Sequence, residues 1–280
     1  TRIFGDFNFK NLLAENEPYL INIENHNITT SYSALRDFMP RIIGAALPVQ
    51  MKNFGTFNVS GNTSISTSTL ITDSSVRSAI GNAKTKLILG NIDDTDNAFY
   101  NGKLILTQFN LGKIIGTTSL GKITANLAID GRGFTQKTID TEIDGTISSF
   151  NFEGYNYQNI KVSGKLKEPL FNGGFEIDDP NLKMDFAGLI DVSNDLNQYD
   201  FKANVAFAEL NKLNLIKRDS ISVFAGKVVM DMDGTTIDNA EGTIILSETF
   251  YQNERDDVYF DDFKITSSFD EKLRTIEVES

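Results

Sequence analysis

Residues 121–133 read GKITANLAIDGRG, and Ile123, Ala125, Leu127 and Ile129 recur at every second position, separated by Lys122, Thr124, Asn126 and other residues. A period of two is the period of a β-strand; a helix would bring apolar residues back after three or four positions. One apolar and one polar side per strand is the mark of an antiparallel sheet that covers one face and wets the other. A similar ribbon, AGKVVMDMDGTT, returns at residues 225–236 with Val228, Met230 and Met232 in phase. Leu182, Met184 and Phe186 form another such set, and Phe201, Ala203, Val205 and Phe207 a fourth. These fourteen apolar positions are the candidate functional residues, because they define the face that the chain repeatedly builds.

Other signals agree with an all-β chain. The pairs Asn101-Gly102, Asp130-Gly131, Asp144-Gly145, Asn172-Gly173 and Asp233-Gly234 accept positive φ at low cost and predict hairpin turns. The five prolines sit at 18, 40, 48, 169 and 180, so residues 49–168 and 181–280 can run as unbroken ladders. Helical spacing is clear only in SALRDFMPRIIGAAL, about residues 33–47, where Ser33 is placed to cap and Pro40 to kink or split the helix. FNLGKIIG from 109 and AELNKLNLI from 208 read as single helical turns between strands.

An internal repeat is also present. YNYQNIKVSGKL (155–166) aligns with VYFDDFKITSSF (258–269), and upstream of each come an alternating strand, an Asn/Leu-rich turn and a strand beginning Gly-Lys. The expected organisation is an N-terminal part, 1–53, with strands and the helical segment, followed by repeat units 54–168 and 169–280, continuous in one structure. Stacked units of this kind imply an elongated, curved antiparallel β-groove with a few short helices. The competing arrangement is a packed sandwich of two meanders.

Charge and composition exclude several functions. With 38 acidic and 26 basic residues the net charge is −12, which repels polyanions, so no nucleic acid is expected as a partner. There is no cysteine, hence neither a disulfide frame nor a thiolate metal site. No apolar run reaches membrane-spanning length and no signal peptide opens the chain; both ends read as mid-strand, and a piece of a longer chain is expected. Tryptophan is absent and the alternating runs are short, which argues against a transmembrane barrel.

Catalytic chemistry finds no constellation. The single histidine, His26, has no second histidine to share a metal or complete a triad, and is read as a surface imidazole. DMDGTTID brings Asp231, Asp233 and Asp238 near a glycine without the spacing of a calcium loop, and reads as a hairpin turn with solvated acids. NERDDVYFDD, with Glu254, Asp256, Asp257, Asp261 and Asp262, reads as a solvated hairpin end. DGRGF and GNAKTK lack the spacing of nucleotide-binding loops. No enzyme, cofactor or metal is expected.

The apolar face remains, with small residues among large ones. A face left open as a trough would need an occupant, and acyl chains fit: each methylene withdrawn from water is worth roughly 0.8 kcal/mol, so about 16 of them represent on the order of 13 kcal/mol. A second hypothesis is a scaffold binding nascent outer-membrane strands along a sheet edge. A third is an extracellular stalk or adhesin whose interior is filled by its own side chains.

The order of NLLAENEPYLINI, LRDFMP, NIDDTDNAFYNG, FNLGKIIG, DGRGFTQK, DDPNLKMDF, LNKLNLIKRDSISVFAG and ETFYQN resembles the TamB family of translocation and assembly module proteins, within the AsmA-like superfamily and of Bacteroidota type. The resemblance spans essentially the whole chain. It implies a central part of a longer periplasmic protein, tethered to the inner membrane by an anchor outside this sequence and meeting an Omp85-family outer-membrane protein through other regions. It further implies a taco-shaped β-groove that carries phospholipid acyl chains and assists outer-membrane protein assembly. It brings no catalytic residues. Asp219 to Ile221 also match a short bacterial O-glycosylation sequon centred on Ser220, for which an unmodified turn is the plainer reading.

Overall fold

The computed structural model describes residues 1–13, 17–38, 49–92, 94, 97–133, 138–167, 170–192, 196–270 and 273–280. The chain divides into two units, Thr1–Phe152 and Glu153–Ser280, the division falling inside the first of the repeats read from the sequence. Both units are antiparallel β-sheets, as the period-two alternation predicts.

In the first unit the strands are β1 (Arg2–Lys10), β2 (Leu20–Ser31), β3 (Thr56–Ser66), β4 (Thr69–Ser78), β5 (Gly81–Gly90), β6 (Phe99–Asn110), β7 (Leu120–Arg132) and β8 (Asp140–Phe152). They lie in chain order, each antiparallel to the next, and β1 does not return to close on β8. The second unit repeats this order with β9 (Tyr155–Lys167), β10 (Leu170–Asp179), β11 (Leu182–Asp191), β12 (Gln198–Glu209), β13 (Ser222–Asp233), β14 (Glu241–Asn253), β15 (Asp257–Asp270) and β16 (Leu273–Glu279). The proline-free stretches do run as ladders.

Helix among the described residues is short. α1 (Tyr32–Phe38) follows β2, and Ser31, one residue before it, accepts from the Ala34 amide at 3.4 Å, so Ser31 rather than Ser33 is the capping side chain. Pro40 and the rest of the expected helix beyond residue 38 lie outside the described residues. A 3-10 segment, Val49–Phe54, leads into β3. α2 (Leu111–Ile115) forms in FNLGKIIG, where the Asn110 side chain accepts from the Lys113 amide at 3.0 Å and Gly116 ends the helix in the left-handed region at φ 87°. Its counterpart after β12 stays a hydrogen-bonded turn, with the Leu213 amide donating to the Glu209 carbonyl at 3.1 Å.

The expected turn pairs need correcting. Asn101-Gly102, Asp130-Gly131, Asp144-Gly145 and Asn172-Gly173 all lie inside strands; Asp233-Gly234 alone marks a strand end. The glycines serve close approach instead. A Cβ on Gly102, at φ 144°, would stand 2.0 Å from the Lys86 carbonyl oxygen, and one on Gly145, at φ 151°, 2.2 Å from that of Asn126.

Bulges adjust the alternation. Asn25 in β2 and Gln108 in β6 have φ near +50°, and the register shifts between Ile23 and His26 and between Leu106 and Phe109. The extra residue returns His26 and Phe109 to the face shared by Ile21 and Leu106, although their sequence spacing is odd. A third shift, in β12, puts Ala208 in line with Val205.

Candidate functional site

The register assembles the apolar positions into rows that run across the strands. In the second unit one row passes through Val162, Phe175, Phe186, Ala203, Val228, Leu246 and Phe263, seven consecutive strands without a polar side chain. At about 4.8 Å per strand gap the row is roughly 29 Å long. Phe186 stacks on Phe175 with ring centroids 4.4 Å apart and meets Phe201 at 5.0 Å, and it is only 7% exposed. The row beside it reads Gly164, Gly173, Gly188, Phe201, Met230, Ile244, Ile265 and Val278. Three adjacent glycines lower the surface there, and the Phe171 ring lies over two of them: a Cβ on Gly164 or Gly173 would come within 3.0 or 3.1 Å of it.

The opposite face is the chemical contrary. Lys161, Glu176, Asp185, Asn204, Lys227, Ser247 and Asp262 pair in an equally long row, with Lys161 and Glu176 joined at 2.8 Å. Exposed pairs of this kind add little stability and mainly keep the face solvated.

The sequence-derived residues fall as follows. Leu182, Met184, Phe186, Phe201, Ala203, Val205, Val228, Met230 and Met232 share the apolar face of the second unit, buried or half-buried. Phe207 does not join them: the bulge in β12 sets it opposite exposed Lys183, out of line with Val205. In the first unit Ile123, Ala125, Leu127 and Ile129 pair with Phe109, Leu106, Leu104 and Gly102, and the first three are buried. Their face continues through Ala83, Val76 and Val59.

Three features of these faces escape the alternation reading. The first is an aromatic cluster at the strand ends beside α2: Phe54 from the 3-10 segment meets Phe57 at 5.6 Å and Phe109 at 5.9 Å, edge to face. The Asn53 side chain, donating to the Lys113 carbonyl, ties that segment to α2. The second is Asp179, 1% exposed at the end of β10, whose carboxylate accepts from the Tyr155 hydroxyl, the Gln158 amide at 2.9 Å and the Asn181 amide at 2.8 Å. Burial, with the Asp179 carboxylate adding to it, pushes the Tyr155 phenol up to about 12. The pairing of Asp179 with a tyrosine 24 residues away has no signal in the sequence.

The third is His26, which is 2% exposed rather than on the surface. Its Nε2 lies 2.8 Å from the Thr63 hydroxyl and 3.4 Å from that of Ser74, while Nδ1 is buried with no hydrogen-bond partner. Burial lowers its pKa, and backbone carbonyls at Val59 and at His26 itself act in the other direction. The bulge at Asn25 explains the misreading: without it His26 would have fallen on the solvated side.

The acidic stretches behave as turns and polar faces. Asn253 accepts from the Arg255 and Asp256 amides at the hairpin between β14 and β15, and Glu254 accepts from the Ser220 amide and hydroxyl. Asp231 and Asp233 are exposed at the end of β13. Among the described residues no group of three or more His, Cys, Asp and Glu side chains is placed to hold a metal ion. No helix there is long and apolar enough to cross a membrane. The chain matches no protein-family model, no curated protein and no solved structure.

Proposed function

We propose that this chain is a non-enzymatic segment of a TamB-like, AsmA-like envelope protein, and that its apolar sheet face carries phospholipid acyl chains between inner and outer membranes. The reading places it in the periplasm, tethered to the inner membrane and reaching an Omp85-family partner through regions beyond this sequence. The observation that carries the proposal is the unbroken apolar row from Val162 to Phe263, backed by a polar row of equal length. A row spanning seven strands offers a chain continuous apolar contact, and each methylene it covers saves roughly 0.8 kcal/mol of exposure to water. Beside it Phe201, Met230, Ile244, Ile265 and Val278 widen the apolar surface that an occupant would meet. Headgroups need no buried charge in this scheme, since the polar face and strand ends remain wet.

Solvent extraction and mass spectrometry of the purified protein test the proposal, with an acidic β-protein of similar size beside it. Stoichiometric phospholipid on this protein, reduced in Leu127→Asp and Ile129→Asp variants that keep their β circular dichroism, is the expected result. Unfolding of both variants would point to a sealed interior and count against the conduit.

A second reading, a scaffold that adds nascent outer-membrane strands to a sheet edge, draws on the terminal strands. Among the described residues β1 pairs only with β2 and exposes Phe4, Phe7 and Phe9, and β16 pairs only with β15 and exposes Ile276 and Val278. Binding of an extended peptide with no retained lipid would favour this reading.

A further inference from the structure

The apolar face of the first unit is interrupted by a polar belt. His26, Thr63, Thr72, Ser74 and Thr85 come from four consecutive strands, β2 to β5, and all face the side that elsewhere carries Ile21, Ile65, Leu70 and Leu89. The hydroxyls form a chain: Thr63 to Thr72 at 3.1 Å, Thr72 to Ser74 at 2.7 Å, with His26 Nε2 bridging Thr63 and Ser74. His26 and Ser74 are buried and make the floor; Thr63, Thr72 and Thr85 are half-buried and make the rim. Gly61 separates His26 from Ser74 in the sheet, and a Cβ there would lie 2.7 Å from the Ser74 Cα, so only glycine lets the two side chains approach.

A hydroxyl belt on an apolar sheet costs stability relative to the Val or Ile that alternation would supply. Most of its members repay that cost within the belt; His26 Nδ1 is buried and makes no hydrogen bond of ordinary geometry, and the backbone carbonyls of Val59 and of His26 itself act on the ring only in part against its burial. Its chemistry narrows what would pair with it. The belt contains hydroxyls and one imidazole, which burial keeps neutral at neutral pH, and no Lys or Arg. The other charged residues of the same strands, Glu24, Asp73, Arg77, Lys84 and Lys86, are exposed, and Asp73, Arg77, Lys84 and Lys86 alternate with the belt on the other face. A phosphate or carboxylate brought here would be buried without a counter-charge, whereas an ester carbonyl or a hydroxyl would gain hydrogen bonds at no ionic cost.

We infer that the His26, Thr63, Thr72 and Ser74 belt is a subsite for an uncharged polar group attached to an acyl chain, the carboxylic ester of a lipid, taken up between the apolar residues on either side of the belt. The inference rests on the conduit reading and adds to it a place where a moving lipid pauses by its ester rather than by its headgroup.

The experiment compares methyl decanoate with decane on the whole 280-residue protein. Bound ligand is quantified by gas chromatography, and the ring nitrogens of the sole histidine are followed by 15N NMR after histidine-selective labelling. The ester should bind roughly fivefold tighter than the alkane, the yield of about one net hydrogen bond, and should shift the Nδ1 resonance while decane leaves it in place. Ser74→Ala and Thr72→Val should bring the ratio towards one without loss of decane binding. His26→Phe should do the same, and the smaller substitutions keep the test open if that variant does not fold. Equal binding of both probes with an unmoved Nδ1 resonance would overturn the subsite and leave the conduit standing. Binding of neither probe would overturn both.

Discussion

Replacing Phe186 by alanine separates a face that is well covered from one that is loosely open. The ring is 7% exposed, lies 4.4 Å from Phe175 in a stacked pair and 5.0 Å from Phe201. Buried Phe to Ala changes cost about 3–5 kcal/mol, and each aromatic pair contributes about 0.5–1.5 kcal/mol of that kind of loss. Phe171 is also near, at 6.5 Å, and can swing part of the way into the space, so a loss near the lower end, about 3 kcal/mol, is expected. In urea, with a slope of about 2 kcal/mol per molar, this moves the unfolding midpoint of the second unit down by about 1.5 M. Phe207→Ala in the same strand network provides the control: Phe207 stands opposite Lys183, half-buried, and should lose less than half as much. Equal losses at the two positions would refute the register, and a loss under about 1 kcal/mol at Phe186 would refute the claim that its neighbours cover it.

Other consequences are open to simple measurements. Because burial lowers the His26 pKa, the unfolded chain binds the proton more tightly, so stability should be full above the unfolded value of about 6.5 and decline as pH falls below it. An NMR titration of the single histidine with a midpoint at or above 6.5 would contradict this. Tyr155, raised to about 12, should contribute stability below pH 10 that is lost as pH rises towards 12; the ultraviolet titration of wild type minus Tyr155→Phe should show one phenol ionising near 12. Gly102→Ala should cost about 3 kcal/mol or more, since its Cβ would meet the Lys86 carbonyl at 2.0 Å, whereas Gly116→Ala, with no atom within 4 Å, should cost only the left-handed backbone penalty of about 1–2 kcal/mol. Similar losses for the two glycines on thermal melting would argue against the close strand approach at Gly102.

For any acyl-carrying role, the notable property is that one row on each side of the second unit, apolar from Val162 to Phe263 and polar from Lys161 to Asp262, keeps its chemical character across seven strands. That requires every hairpin to hold register, because a slip of one residue exchanges the faces. The polar row supplies opposite charges at Lys161 and Glu176 that favour one register over its neighbours.

The alternation of Ile123, Ala125, Leu127 and Ile129 was sufficient by itself to declare antiparallel strands with one apolar face, since side-chain direction along a strand follows directly from backbone geometry. The proline-free ladders and the helical turn in FNLGKIIG were legible from equally local signals. Sequence did not show where alternation is suspended. The bulges at Asn25, Gln108 and in β12 depend on what the neighbouring strands demand, and they decided that His26 is buried, that Phe109 joins the apolar row and that Phe207 leaves it. Gly102, Gly145 and Gly173 looked like turn residues because a glycine's tolerance of positive φ is visible locally, whereas the carbonyl or side chain that forbids a Cβ comes from another strand. The polar belt around His26 likewise exists only across strands: residues 26, 63, 74 and 85 have no relation in the chain, and pairing of β2 to β5 alone brings their hydroxyls and imidazole together.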